Sequence, residues 1–124
     1  MSRRSERNRA FEILFEKTFV NDNRHGNLSS YTNSIVCGVE KNINEIDNLI
    51  KSNIINWSFD RISRVAKCAL RLGIYEMIYG DVPRAVAINE SVEIAKIYAT
   101  ENDANYVQAV LSSVFRKLEE NKDV

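Results

Sequence analysis

Arginine residues are concentrated at the start of the chain, where Arg3, Arg4, Arg7 and Arg9 fall within the first nine positions. Residues three and four apart lie on one face of a helix, so Arg3, Arg4 and Arg7 share a face if this segment is helical. Guanidinium groups bind phosphate through planar, bidentate hydrogen bonds. The cluster therefore has the chemistry of a phosphate-binding surface. The alternative is that these arginines are simply solvated, as is common for a basic chain end.

Groups that would support catalysis or metal binding are scarce. The one histidine, His25, falls in a polar run at 21–27 that we interpret as a turn, and it has no partner at metal-ligand spacing. The sequence contains no glycine-rich phosphate loop and no nucleophile motif. Glu90 and Glu93 share a predicted helical face, where we expect solvated or salt-bridged carboxylates. The sequence predicts no catalytic residue, no metal site and no cofactor.

The composition is balanced in charge, with 17 basic and 17 acidic residues among 124. The net charge therefore gives no reason to expect nucleic acid. No apolar run approaches the roughly 20 residues of a membrane span, and the arginines do not precede a secretory signal. Cys37 and Cys68 lie among apolar residues, so we expect two reduced core thiols. These features predict one cytoplasmic domain, residues 1–124, without membrane contact.

The middle of the chain is predicted to be the packing centre. Residues 65–79 are apolar on nearly every side, which is typical of a helix buried by several neighbours. Gly80 is then placed to end this helix, and Pro83 is placed just before the next one begins. An amphipathic helix at about 86–99 is expected to fold back against the first.

Two polar residues within these helices require partners if they are buried. Arg71 lies between leucines in the first helix, where an unpaired charge would be very costly. We expect it to pair with Glu90 or Glu93 of the next helix, and we expect this pairing to be structural. Asn89 is predicted to lie on the apolar side of that helix, where its amide would have to be hydrogen-bonded.

The rest of the chain also shows the apolar spacing of amphipathic helices. The pattern predicts helices at 2–20, at 28–55 as one helix or two, and at 104–118, with a short turn at 59–62 behind Ser58. Strand signals are nearly absent. The sequence therefore predicts an all-α fold with about six or seven helices.

Short polar residues suggest where the first and last helices begin. Ser2 or Ser5 is placed to cap the first helix, and Asn102 or Asp103 is placed to cap the last. The polar tail at 119–124 is expected to fray.

Four segments of the chain match one known pattern in order. They are the arginine-rich start with Ala10, Leu14 and Phe15; Gly38 followed by Ile46, Asp47, Leu49 and Ile50; Trp57, Arg61, Ile62 and Val65 followed by LRLGIYE; and PRAVAINESVEIAK at 83–96. The last run is by far the most specific. On these residues the chain resembles the NusB family of bacterial transcription antitermination factors over essentially its whole length.

The resemblance implies two small helical bundles packed together, with no active site. It also implies binding of the single-stranded boxA element of nascent RNA together with NusE, a ribosomal protein of the small subunit. That assembly joins the RNA polymerase antitermination complex and supports ribosomal RNA transcription. A homodimer is a further state that the resemblance allows.

The resemblance also implies which residues meet RNA. Arg3, Arg4 and Arg7 match the family's RNA-binding arginines, and Phe15 and Tyr106 match aromatic positions at or near the RNA and partner surface. The polar segment before the last helix matches Glu101, Asn102 and Asp103. The full set of RNA-binding residues predicted in this way is Arg3, Arg4, Arg7, Phe15, Asn102, Asp103, Tyr106 and Gln108.

Two departures from the family pattern keep other functions open. Ala66 stands where an acidic residue is usual, and Gln108 and Ala109 replace an Asn-Gly pair. A helical protein-interaction scaffold with altered or lost RNA specificity is therefore the alternative. Similar helical domains also precede the catalytic part of ribosomal RNA cytosine methyltransferases, but these 124 residues leave no room for a cofactor-binding domain.

Overall fold

The structure, a computed structural model, describes residues 2–19, 28–54 and 58–122, so His25 lies outside the described residues. Within these ranges it contains six α-helices, one 3-10 turn and no strand, as the sequence predicted. The helices are α1 (Arg3–Glu16), α2 (Ser30–Lys41), α3 (Ile43–Lys51), α4 (Arg64–Tyr79), α5 (Arg84–Tyr98) and α6 (Glu101–Lys122), and the 3-10 turn is Phe59–Arg61.

Helix α4 is the packing centre, and it contacts all five of the other α-helices. The helices α1, α2 and α3 pack on one side of it, while α5 and α6 pack with it into a second bundle. Most side chains of α4 are buried, including Cys68, Leu70, Leu72, Ile74 and Met77. The predicted two-bundle arrangement around a central, largely buried helix is therefore confirmed. None of the described helices is long and apolar enough to cross a membrane.

Short polar side chains determine where several helices begin. The Oγ atoms of Ser2, Ser29 and Ser63 each accept a hydrogen bond from the backbone N–H three residues later, which satisfies one of the free donors of the first turn. A break at Asn42 divides the predicted 28–55 segment into α2 and α3. Helix α1 ends at Glu16 and a turn follows, so this helix is shorter than the predicted 2–20.

Helix α6 is longer than predicted at both ends. It begins at Glu101, and the backbone N–H of Asp103 donates to the hydroxyl of Thr100 at 3.0 Å. The capping residue is therefore Thr100, and the prediction of Asn102 or Asp103 was wrong. Acidic residues in the first turn are favoured by the positive end of the helix dipole. The helix continues to Lys122 rather than fraying after residue 118, since its last turns are rich in good helix formers.

Two predictions about the core were wrong. Cys68 is buried as expected, but Cys37 is exposed because it lies off the buried stripe of α2. Asn89 is also exposed, and the buried polar residue of α5 is Ser91. Ser91 packs against Gly73 of α4, where an added Cβ would lie only 2.6 Å from the Ser91 Oγ. Gly73 thus permits the close approach of α4 and α5.

Candidate nucleic-acid interface

Arg7 points into the protein rather than toward solvent. Its side chain is 3% exposed, and its Nη2 donates to the Glu76 Oε2 at 3.0 Å and to the Tyr31 hydroxyl at 2.9 Å. The Tyr31 hydroxyl in turn donates to Glu76 at 2.6 Å. These three residues, which we call the buried triad, connect α1, α2 and α4. The expectation that Arg7 meets RNA therefore conflicts with its enclosed position.

The charges of the buried triad depend on one another. Burial acts to lower the pKa of Arg7, but the hydrogen bond and charge of Glu76 outweigh it, so this pKa lies above its ordinary value. Burial, followed by the bond to Glu76, raises the pKa of Tyr31. Removing Arg7 would leave Glu76 buried without a cation, which is strongly destabilising, whereas Arg7 has a second carboxylate, Glu90, 3.6 Å from its Nη1. The triad is thus a structural connection between helices.

Arg3 and Arg4 lie at the surface, with side chains 54% and 64% exposed. Arg4 donates to both carboxylate oxygens of Glu90, at 3.1 and 3.0 Å. Arg3 donates to Asp81 at 3.2 Å, and its guanidinium lies 4.1 Å from the centre of the Tyr31 ring. The pair of Arg3 with Asp81 is exposed on both sides and contributes little to stability, so a phosphate can replace that carboxylate at low cost, whereas the Glu90 side chain is only 16% exposed.

Helix α5, in the second bundle, supplies Glu90, the acidic partner of Arg4. A hydrogen bond from Arg4 lowers the pKa of Glu90 below its ordinary value, against the opposing effect of burial. Glu90 is therefore salt-bridged, as predicted, but not to Arg71. Arg71 donates to Asp47 of α3 at 2.8 and 3.0 Å, so the pairing with Glu90 or Glu93 was wrong. The reason is that Arg71 faces α3, whereas Glu90 faces α1.

The other predicted residues lie away from the surface arginines. Phe15 is twelve positions after Arg3 along α1, which corresponds to about 18 Å at the rise of an α-helix. The remaining residues belong to the first half of α6. Of the predicted set beyond the arginines, Phe15, Asp103 and Tyr106 are half-buried, and Asn102 and Gln108 are exposed.

The turn after α1 meets the beginning of α4, which in turn contacts the beginning of α6. The Phe15 and Phe19 rings form an edge-to-face pair with centres 5.2 Å apart, and Phe19 is 58% exposed. The guanidinium of Arg64 lies 4.3 Å from the Phe19 ring centre. The neighbouring Ser63 donates to Asp103 at 3.4 Å. We call this region the aromatic end, and it places Phe15 on the same side of the molecule as the start of α6.

A basic groove of about 460 Å³ lies beside the aromatic end, and it was not predicted from the sequence. Arg64 and Lys67 have no carboxylate partner in the part of the chain that the structure describes, whereas Arg71 is paired with Asp47. Positions 64, 67 and 71 follow helical spacing, so the sequence already indicated that these three basic residues share one face of a helix. The groove is lined by Leu14, Lys17, Thr18, Val39, Glu40, Ile43, Arg64, Lys67, Cys68 and Arg71.

The departures from the family pattern lie in different environments. Ala66 is 1% exposed and presents no side chain to a ligand. Gln108 and Ala109 are exposed on α6. Only the second departure therefore changes the surface directly. No group of three or more His, Cys, Asp or Glu residues is arranged to hold a metal ion within residues 2–19, 28–54 and 58–122.

Taken together, the described residues form an all-helical fold of two bundles around a central helix, with Arg3 and Arg4 exposed at its surface. The family model described as the NusB family matches residues 1–116, and the chain belongs to that family.

Relatives of known name agree with this assignment. The transcription antitermination protein NusB of Clostridium botulinum is 36% identical, and the match covers 94% of this chain and 100% of the relative. The protein of the same name from Fervidobacterium nodosum is 38% identical over 92% of this chain and 81% of the relative.

Solved structures show the same fold. NusB of T. maritima superposes with a TM-score of 0.82 at 30% identity, covering 92% of this chain and 90% of the other. A chain from a crystal structure of the antitermination factors NusB and NusE in complex with double-stranded RNA has a TM-score of 0.80 at 26% identity. It covers 93% of this chain and 96% of that one.

Proposed function

We propose that this protein is a transcription antitermination factor that binds single-stranded boxA-type RNA together with NusE. The observation that carries the proposal is the exposure of Arg3 and Arg4 at the start of α1 in a chain of the NusB family. The complex would act with RNA polymerase and support transcription of ribosomal RNA. We place this role in the cytoplasm, in a single non-catalytic unit of residues 1–124, with homodimerisation as a further state.

The arginine surface would bind RNA through phosphate contacts. Guanidinium groups form paired hydrogen bonds with phosphate, and their planes can also stack on unpaired bases. If Arg3 and Arg4 each neutralise one phosphate, the logarithm of affinity should fall with the logarithm of salt concentration at a slope of about −1.4. So few contacts give weak binding by the protein alone. NusE would therefore supply further surface for tight binding.

The aromatic end would provide the second part of the interface. Phe15 and Tyr106 are half-buried and so present ring edges or faces to a base or a partner. We propose that RNA passes along α1 from Arg3 toward Phe15 and reaches the polar start of α6. The residues proposed to border it there are Asn102, Asp103, Tyr106 and Gln108.

The proposed NusE contact lies at Phe19 and Arg64. An aromatic side chain and an arginine at the surface are residue types enriched at the centres of protein interfaces. The exposed Phe19 ring beneath the Arg64 guanidinium combines both types in one place.

Arg7 is assigned a structural role in this proposal. An arginine that is 3% exposed and bound to Glu76 would have to leave a buried ion pair before it could meet a phosphate. We therefore restrict the RNA-binding arginines to Arg3 and Arg4.

A scaffold without boxA recognition is the second candidate, and Gln108 favours it. This exposed side chain stands with Ala109 where the family pattern has an Asn-Gly pair. Such a protein would keep its partner surface but bind RNA without sequence preference or not at all.

A fluorescence anisotropy titration separates the two candidates. Labelled boxA-type RNA and a scrambled RNA of equal length are titrated with the protein, alone and with NusE, and a duplex serves as competitor. The antitermination proposal expects preferential binding of the boxA-type strand that strengthens when NusE is present. Equal binding of both RNAs, or no binding by a folded protein that still binds NusE, would favour the scaffold.

A further inference from the structure

A cleft of about 470 Å³ lies between the starts of α1 and α2 and the end of α4, directly beside Arg3. Three tyrosines line it, Tyr31, Tyr75 and Tyr79, one from α2 and two from α4. We propose that this cleft receives one unpaired nucleobase of the bound RNA. The inference rests on the proposed RNA-binding function and extends it to a specific site, which we call the tyrosine cleft.

The tyrosine cleft offers aromatic faces for stacking. Tyr79 is 47% exposed, and its ring centre lies 5.6 Å from that of Tyr75 at an interplanar angle of 34°. Tyr31 already carries the planar guanidinium of Arg3 over its ring, with 4.1 Å between the guanidinium carbon and the ring centre. Because Arg3 covers that face, the surface open to a base is the exposed ring of Tyr79, and single-stranded nucleic acid is bound by stacking of its bases on such rings.

The Tyr79 ring is held in place before any ligand arrives. Its hydroxyl donates to the Glu45 Oε2 at 2.9 Å, which connects the end of α4 to α3. The Tyr75 ring packs closely against Gly38, where an added Cβ would lie 2.1 Å from the Tyr75 Cε1. Rings that are already ordered lose little conformational entropy on binding. The partial exposure of Tyr79 thus leaves a fixed apolar surface open to a ligand.

Charge in the tyrosine cleft favours a base over a phosphate. Glu76 and Asp81 line the cleft, and Asp81 is 70% exposed at its edge. Glu76 is buried and paired with Arg7, so a phosphate placed inside would be repelled mainly by Asp81, whereas a neutral base would not be. Arg3 lies at the same edge and is bound to Asp81 only through an exposed pair. We infer that the base enters the cleft while its phosphate stays outside on Arg3.

Hydroxyl groups are available for the edge of the base or the ribose. The side chains of Ser30 and Ser34 line the tyrosine cleft and are exposed, and neither hydroxyl forms a side-chain hydrogen bond among the described residues. A serine hydroxyl both donates and accepts, so it can bind a base edge or the 2′-hydroxyl that distinguishes RNA from DNA.

The test compares Tyr79→Ala with Tyr79→Phe in anisotropy titrations of boxA-type RNA in the presence of NusE. Loss of one stacking partner should weaken RNA binding by about 5- to 150-fold in Tyr79→Ala. Tyr79→Phe keeps the ring and should bind within about twofold of the wild type. Thermal unfolding of both variants verifies that they are folded.

A second measurement locates the base. The RNA is scanned with single abasic substitutions, and each is titrated with the wild type and with Tyr79→Ala. One abasic position should weaken binding by the wild type about as much as Tyr79→Ala does and should have no further effect on that variant, because both changes remove the same contact.

Several outcomes would overturn the inference. If Tyr79→Ala binds within twofold of the wild type while Arg4→Ala binds more weakly, the tyrosine cleft is not a base site and the proposed function stands. The tyrosine cleft is also ruled out as a base site if Tyr79→Phe binds RNA as weakly as Tyr79→Ala, or if every abasic substitution still weakens RNA binding by Tyr79→Ala. If the wild type binds no RNA with or without NusE, the proposed function itself fails.

Discussion

Arg7 of α1 and Glu76 of α4 are 69 positions apart in the chain, yet the Nη2 of Arg7 donates to the Oε2 of Glu76 at 3.0 Å inside the protein. Both side chains are almost completely enclosed, with 3% and 2% exposure. This pair divides the arginine cluster into two functions. Arg7 joins the two bundles, while Arg3 and Arg4 remain at the surface.

The structural role of Arg7 predicts a large loss of stability in Arg7→Ala. Removing one partner of a buried ion pair leaves the other charge uncompensated, which costs about 3–5 kcal/mol of unfolding free energy. Urea denaturation followed by circular dichroism measures this difference. Arg9→Ala, at an exposed position two residues later, is the matched control and should change the unfolding free energy by less than about 0.5 kcal/mol.

A double replacement tests the reason for that loss. Arg7→Met with Glu76→Leu removes both charges, so it should recover much of the free energy lost in Arg7→Ala. A normal unfolding free energy in Arg7→Ala together with lost RNA binding would show that Arg7 is an RNA contact after all.

The pair between Arg4 and Glu90 predicts competition with RNA. Glu90→Gln removes the carboxylate that Arg4 must leave, so this variant should bind boxA-type RNA about two- to fivefold more tightly at low salt. The titration is repeated at 0.5 M salt, where the difference should largely disappear because exposed charges are screened. Weaker binding by Glu90→Gln would indicate that Glu90 holds Arg4 in its RNA-binding position.

The same pair predicts a pH dependence of stability. The Arg4 hydrogen bond holds the pKa of Glu90 below its usual value of 4.5 in the folded protein. Because the folded-state pKa lies below the unfolded one, the stabilisation is fully present above pH 4.5 and is lost as the pH falls through the lower, folded-state value. Melting temperatures of the wild type and Glu90→Gln should therefore differ at pH 7 and converge toward pH 3. A difference that stays constant over this range would contradict the assigned pair.

The two thiols are expected to differ in reactivity. Cys37 is exposed, whereas Cys68 is buried and burial raises the pKa of its thiol to about 11. Since the thiolate is the reactive form, only Cys37 should react with a maleimide or disulfide reagent in the native protein. Mass spectrometry should find one label per native chain and two after unfolding. Cys37→Ser should take up no label until it is unfolded, and labelling of the native variant would place Cys68 at the surface.

Apolar spacing was a reliable guide to the helices but not to their partners. The pattern at 65–79 predicted a helix buried by several neighbours, and α4 contacts every other α-helix. The same periodicity could not show that Arg71 faces Asp47 on α3 rather than Glu90 on α5. The spacing determines which residues of one helix share a face, whereas the neighbour on that face depends on how all the helices pack.

The arginine cluster illustrates the same limit. Spacing placed Arg3, Arg4 and Arg7 on one side of α1, but burial changes over a single helical turn, from 64% exposure at Arg4 to 3% at Arg7. The sequence did contain a sign of this difference, since Glu76 lies in an apolar helix and requires a buried cation. The tyrosine cleft was not foreseen because its residues come from three helices that are distant in the chain.

The most direct test of the proposed function is the affinity of an Arg3→Ala/Arg4→Ala double variant for boxA-type RNA with NusE present, measured by anisotropy at several salt concentrations. Both residues are exposed, so the variant should fold like the wild type, and Arg9→Ala serves as a control for the loss of a positive charge. We predict that the double variant binds about tenfold or more weakly and that its salt slope is smaller in magnitude by about 1.4. An unchanged affinity and salt slope in a folded double variant would contradict the assignment of Arg3 and Arg4 as the RNA-binding arginines.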